Sequence, residues 1–135
     1  MEICSKVFVY GTLQQGCGND RIFERHNAEC LGTRVTEDKY VLGDVGFPYA
    51  LTPEAVEGVL DDEEMFRPVE GELWSIPDED CLASLDRLEG NGHHYTREVV
   101  QLSTGEEAWM YLQPDWRVLY HCTRCTITEE GNYKW

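Results

Sequence analysis

The pattern of apolar and polar positions divides the chain into short segments, most of them with the two-residue period of strands. Lys6-Val7-Phe8-Val9-Tyr10 is nearly continuous in apolar and aromatic residues and predicts a strand buried on both faces. It runs into Gly11-Thr12-Leu13 and a polar loop, Gln14 to Asp20, whose glycines signal unusual backbone angles. A short helical stretch from Asp20 to His26 follows, with Ile22 and Phe23 as its packing residues. Glu29 to Val35 and Tyr40 to Leu42 predict strands around a turn at Glu37-Asp38. Phe47-Pro48-Tyr49-Ala50-Leu51 is extended, and its proline places it at an edge or rim. Val56 to Leu60 predicts a brief strand, and Asp61 to Glu64 a solvated acidic turn. Val69 to Ile76 alternates, as a strand with one buried face does. Tyr95 to Leu102 and Glu107 to Gln113 form a hairpin that turns at Ser103-Thr104-Gly105-Glu106. Pro114-Asp115 breaks it, and Trp116 to His121 adds a last strand. The tail from Cys122 to Trp135 is polar and shows no clear period.

One segment has the period of a helix and clear boundaries. Between Pro77 and Gly90, the apolar residues Cys81, Leu82, Leu85 and Leu88 recur at helical spacing. Ser75 or Asp78 can cap its start, and Pro77 suits a first helical turn. Asp78, Glu79 and Asp80 favour the positive end of the helix dipole, and Gly90 suits the C-terminal cap. Glu89 lies seven residues after Leu82 and four after Leu85, so it projects from the leucine face, whereas Asp86 and Arg87 take more exposed directions. A carboxylate on a core-facing stripe is costly unless paired or protonated. There, at the negative end of the dipole, its pKa is expected to rise into the range useful for moving protons near neutral pH. The same position also suits a boundary glutamate whose stem packs while its head reaches water.

Roughly seven short strands with one strong and one weak helix, and no regular strand–helix–strand alternation, argue against a doubly wound sheet. The expected class is α+β: a small mixed β-barrel or strongly curved sheet with packed helices. A length of 135 residues fits a single domain, 1–135, and the 41% hydrophobic content is that of a globular chain. A formal net charge of -15 repels phosphate backbones and anionic lipid, so neither nucleic acid nor membrane is an expected partner. No apolar run approaches the ~20 residues of a membrane span, and Met1 to Lys6 lacks a signal-peptide apolar region. The six cysteines are therefore expected to be reduced thiols of a cytoplasmic protein.

Of the remaining candidates, Tyr10-Gly11-Thr12-Leu13 follows a buried strand, and its N–H groups could cradle a carboxylate or form an ordinary turn. His93 and His94 are adjacent and point in different directions, which suits a solvated loop better than a shared metal. Cys122 and Cys125 have Cys-x-x-Cys spacing without a second comparable pair, so no metal is expected. Cys81, mid-stripe in a helix, reads as a core residue.

Together these pieces resemble the γ-glutamylcyclotransferase-like family, which includes the γ-glutamylamine cyclotransferases and the AIG2-like and YtfP-like proteins. Val7 to Leu13 resembles the family's N-terminal signature. Val69 to Ile76, Leu82 to Gly90 and Tyr95-Thr96-Arg97 resemble its second signature, and Phe47 to Leu51 its central proline-containing segment. The resemblance covers about residues 6–113 and leaves 114–135 unassigned. It implies a compact mixed α+β barrel and a pocket between the Tyr-Gly-Thr-Leu loop and a catalytic glutamate, whose position Glu89 matches. The implied reaction releases an amine or amino acid from a small γ-glutamyl compound as 5-oxoproline forms, with no cofactor and no metal. The resemblance further implies substrate binding by Tyr10, Gly11, Thr12 and Leu13, and pocket-lining roles for Tyr95 and Tyr111. Two alternatives share the pocket: a non-catalytic metabolite-binding module, and an acyl transferase that removes a γ-glutamyl group in biosynthesis. Asn19-Asp20 stands where many relatives have Asn-His, and the loop from Asp61 to Phe66 is long for the family. Both departures bear on substrate identity.

Overall fold

A computed structural model describes residues 5–11, 13–14, 21–44, 48–59, 63–89, 95–117 and 123–135. The elements in order are β1 (Lys6–Val9), α1 (Arg21–Arg25), β2 (Glu29–Val35), β3 (Val41–Asp44), β4 (Pro48–Leu51), β5 (Glu70–Ser75), α2 (Glu79–Glu89), β6 (Thr96–Gln101), β7 (Glu107–Leu112), β8 (Thr123–Arg124), β9 (Thr126–Ile127) and β10 (Tyr133–Lys134). The main sheet has the order β2-β5-β1-β7-β6. It is mixed: β1 runs parallel to β7 and antiparallel to β5, and β6–β7 is the expected hairpin.

Burial on β1 follows from its place at the centre of this sheet. Val7 and Val9 face the helices, in one cluster with Ile22, Phe23, Cys81, Leu82 and Leu85. Phe8 faces the other way, into a cluster with Leu73, Leu102, Met110 and Tyr133. The continuous apolar run is thus the signature of a strand sandwiched between two cores. Strand β5 departs from its expected single buried face. Leu73 enters one core, while Trp74 enters the other and stacks on Phe23 with ring centroids 4.2 Å apart. Gly71 lies so close to β1 that an added Cβ would sit 2.3 Å from the Val9 carbonyl oxygen.

Strands β4, β3 and β8 form a separate sheet in that order, so β4, with its proline, is an edge strand. At one corner of the main sheet Thr36 and Leu102, just past the ends of β2 and β6, form an antiparallel bridge. The Glu37 N–H donates to Gln101 O (3.1 Å) and the Ser103 N–H to Val35 O (2.8 Å). Among the described residues no continuous strand pairing closes the sheet into a barrel.

Two expected strands are corrected, and two further segments acquire definite structure. Val56 belongs to a 3-10 helix, Glu54–Val56, followed by a turn, instead of a strand. Thr52 starts it: its Oγ1 accepts the Ala55 N–H at 3.2 Å, and Pro53 follows. Trp116 and Arg117 form a helical turn, and the rest of that expected strand lies outside the described residues. The acidic turn contains a second 3-10 helix, Glu63–Met65, with Asp61 and Asp62 outside the described residues. The tail, finally, is structured: β8 pairs with β3, β9 with β10, and Tyr133 is buried with its hydroxyl donating to Met65 O at 2.6 Å. No helix among the described residues is long and apolar enough to cross a membrane.

Candidate active site

Helix α2 carries the central carboxylate. Asp78 is its cap, with Oδ1 accepting the Cys81 N–H at 2.9 Å. Pro77 therefore precedes the cap and lies outside the first turn, and Ser75 belongs to β5. Cys81, Leu82 and Leu85 are buried against β1 and β5. Burying a side chain such as Leu85 contributes about 2 kcal/mol, which fixes the rotation of the helix about its axis. Leu88 departs from the expected stripe and is 46% exposed. On a wheel of about 100° per residue the buried arc runs from Cys81 through Leu85 to Asp86, and Leu88 falls outside it beyond Cys81.

The same rotation turns Asp86 inward, contrary to the expected exposure. Asp86 lies four residues after Leu82, as Glu89 lies four after Leu85. Its Oδ1 accepts the Tyr111 hydroxyl at 2.7 Å, and its Oδ2 pairs with Arg97 Nη1 at 3.0 Å. Arg97 in turn lies over the Trp109 ring, 4.3 Å from its centroid. The i, i+4, i+7 relation of Leu82, Asp86 and Glu89 was the available signal for Asp86. Arg97 and Trp109 have no comparable signal in their strands.

Glu89 is half-buried, in the last turn of α2. Burial pushes its carboxyl from the ordinary 4.5 up to about 7, and no cation among the described residues offsets that rise. Its negative charge reaches three tyrosines, Tyr10, Tyr95 and Tyr111. Each phenol is pushed well above its ordinary range, first by burial; for Tyr111 the bond to Asp86 adds to this. Tyr95 and Tyr111 meet edge to face at 6.4 Å, and Tyr49 leans on Tyr95 at 5.2 Å. Glu89, Tyr10, Tyr95 and Tyr111, separate in the sequence, thus converge.

Strand β4 braces the group. The Tyr95 hydroxyl donates to Pro48 O at 2.8 Å. The Tyr10 hydroxyl donates to Tyr111 O and accepts the Ala50 N–H at 3.2 Å. The Gln113 N–H donates to Ala50 O at 2.8 Å. Gly11 packs on the Pro48 ring so closely that an added Cβ would lie 2.8 Å from two ring carbons. Its carbonyl accepts the Gln14 N–H at 3.0 Å, closing a turn. Leu13 is buried in the helix-side core. Thr12 lies outside the described residues, as do His93, His94, Cys4, Cys17 and Cys122. Cys81 is buried, which pushes its thiol up to about 11. Among the described residues no group of three or more His, Cys, Asp or Glu is arranged to hold a metal ion.

The arrangement sets a carboxyl of raised pKa among buried tyrosines, with a tight glycine turn packed on the same β4 proline that receives the Tyr95 hydroxyl. The family profile for γ-glutamyl cyclotransferase, AIG2-like, matches residues 7–134. The chain belongs to this family. Its match includes the tail that the sequence resemblance left unassigned. Among relatives, the γ-glutamylcyclotransferase family protein YtfP of Escherichia coli K12 is 36% identical over 107 residues, 79% of this chain and 80% of YtfP. The Drosophila melanogaster protein CG2811 is 32% identical over 122 residues, covering 83% and 71% of the two chains. The crystal structure of an AIG2-like protein from Mus musculus superposes with a TM-score of 0.65 at 23% identity, covering 99% of this chain and 97% of the other. That likeness establishes the mixed α+β fold shared with the family.

Proposed function

We propose that this protein is a γ-glutamyl cyclotransferase that acts on a small γ-glutamyl compound and releases an amine or amino acid as 5-oxoproline forms. The observation that carries the reading is Glu89, held near pKa 7 among Tyr10, Tyr95 and Tyr111. In this mechanism the substrate's α-amino nitrogen attacks its own γ-carbonyl carbon, and the Glu89 carboxylate takes the proton that nitrogen loses. The new C–N bond closes a five-membered ring, so proximity is built into the substrate. The bond to the departing nitrogen then breaks, and the protonated Glu89 returns its proton there. One carboxylate whose pKa lies near the working pH serves both steps.

In this reading the backbone N–H groups of the turn from Gly11 through Thr12 to Leu13 hold the substrate carboxylate or the developing oxyanion. Glycine at position 11 is what lets this turn pack against the Pro48 ring. Tyr95 and Tyr111 line the pocket, and Tyr10 ties it to β4. The mechanism uses no cofactor or metal. The reading extends to one domain over residues 1–135, a barrel closed at the Thr36–Leu102 corner, and a cytoplasmic site of action. The decisive experiment incubates the protein with a panel of γ-glutamyl amines and γ-glutamyl dipeptides and measures 5-oxoproline. Turnover of at least one is expected. Binding of one without turnover of any would favour a metabolite-binding module.

A further inference from the structure

The hydroxyl groups around Glu89 share a polarity. A phenol has one hydrogen to donate and lone pairs to accept with. Tyr111 gives its hydrogen to Asp86 Oδ1 at 2.7 Å, and Tyr95 gives its hydrogen to Pro48 O at 2.8 Å. Tyr10 gives its hydrogen to the Tyr111 carbonyl and also receives the Ala50 N–H. The ionised Glu89 carboxylate, the form that would take a proton from an amine, is itself an acceptor. These described side chains offer the site acceptors, which suits a ligand group rich in N–H, such as an ammonium or amine. They suit a carboxylate or a carbonyl oxygen poorly.

Asp86 sets this polarity at Tyr111. Its second oxygen is 3.0 Å from Arg97 Nη1, and Arg97 lies against the Trp109 ring. A carboxylate fixed in this way has no hydrogen to offer, so the hydrogen of the 2.7 Å contact belongs to Tyr111. We infer that Asp86 is a positioning residue which, through Tyr111, makes the pocket selective for the free α-amino group of a γ-glutamyl ligand. The inference rests on the γ-glutamyl reading above but concerns binding, so it can be measured without turnover. Asparagine at position 86 would turn an N–H toward Tyr111 and release the phenol hydrogen to point into the pocket, against the ligand's own N–H.

The test compares L-glutamate with glutarate, which is the same chain without the amino group, by titration calorimetry at pH 7. The wild-type protein is expected to favour L-glutamate by about tenfold or more, the effect of one well-formed charge-assisted hydrogen bond. In Asp86→Asn the ratio falls toward one because L-glutamate alone weakens. Tyr111→Phe, which keeps the ring and leaves the Asp86–Arg97 pair in place, does the same, and the double variant adds nothing more. If Asp86→Asn does not fold, the Tyr111→Phe ratio decides. An unchanged ratio in the folded variants overturns the inference, and so does equal weakening of both ligands, which is what a merely structural role gives. A wild-type protein that binds neither ligand overturns this inference, whereas the γ-glutamyl reading is overturned separately, by the absence of 5-oxoproline from every compound in the panel.

Discussion

Two glutamates, Glu89 at the end of α2 and Glu106 at the tip of the β6–β7 hairpin, are driven in opposite directions by their surroundings. Glu106 accepts from Arg34 Nε at 2.7 Å, Lys6 Nζ at 3.2 Å and Thr104 Oγ1 at 2.7 Å, and these partners, Arg34 first, lower its pKa to about 2. Glu89 has no such cation among the described residues, and burial raises its pKa to about 7. One carboxyl is held permanently charged as a fastener. The other is left able to gain and lose a proton near neutral pH. On a chain of net charge -15, cations pair with Glu106, Asp86, Asp115 and Glu70, and Glu89 is left to desolvation. The proton carrier of the proposed mechanism is defined as much by the cation it lacks among the described residues as by its burial.

The largest expected effect comes from removing the proposed proton carrier. Glu89→Gln keeps the shape of the side chain but cannot take a proton, and 5-oxoproline formation should fall by about a thousandfold or more. Glu106→Gln should leave the rate unchanged. Equal losses in the two variants would break the contrast, as would full activity in Glu89→Gln.

Next in size is stability. Folding raises the Glu89 pKa from 4.5 to about 7, so between these values the folded chain holds a proton that the unfolded chain has released. Its contribution is therefore favourable below about 4.5, declines as pH rises through the folded pKa, and stays low above 7. Glu89→Gln removes that cost. Above pH 7 the variant should be more stable than wild type by about 2 kcal/mol, allowing for screening of a half-buried group. Denaturant melts at pH 5 and pH 8 measure this directly: the gain should appear at pH 8 and be much smaller at pH 5. A site that trades stability for activity behaves in this way.

The pH dependence of kcat/KM is a third measure. With a base of pKa about 7, the rate should fall about tenfold from its plateau by pH 6 as Glu89 takes up its proton. That limb should vanish from any residual activity of Glu89→Gln. A limb near 4.5 instead would mean that Glu89 is solvated when the pocket is empty.

Much of this contrast was legible in the sequence, and the illegible part has a physical cause. Glu89 could be placed on the core face because Leu82 and Leu85 fix the helix rotation by local spacing alone. Strand β1 was readable because burial on both faces leaves a continuous apolar run. Leu88 departs from the stripe because period reports direction but not where the neighbouring element ends, and among the described residues no packed partner covers the last turn on that side. Polarity alone predicts exposure for Asp86, whereas its ion pair with Arg97 and its bond to Tyr111 compensate its burial. Its partners come from β6 and β7, and no periodicity within α2 announces the pairing. Val56 looked like a strand residue by propensity, but the Thr52-Pro53 start imposes a helical turn on it. Tyr133 is buried through contacts with Met65 and Pro68 on the far side of the chain, which a short polar tail does not announce.

The smallest expected effect is at the other glutamate, and its sign distinguishes the two regions. Folding lowers the Glu106 pKa from 4.5 to about 2, so its contribution is present above about 4.5 and is lost as pH falls toward 2. Glu106→Gln should therefore destabilise the protein near neutral pH, the opposite direction from Glu89→Gln. Because the tip is solvated, water and salt screen its contacts, and the loss should be under about 1 kcal/mol despite the two cations within 3.2 Å. The difference from wild type should shrink at high salt, and again near pH 2, where the wild-type carboxyl is also protonated. A loss of several kcal/mol, or one indifferent to salt, would show that the hairpin tip is a desolvated network. Burial would then no longer be what separates the two carboxyls.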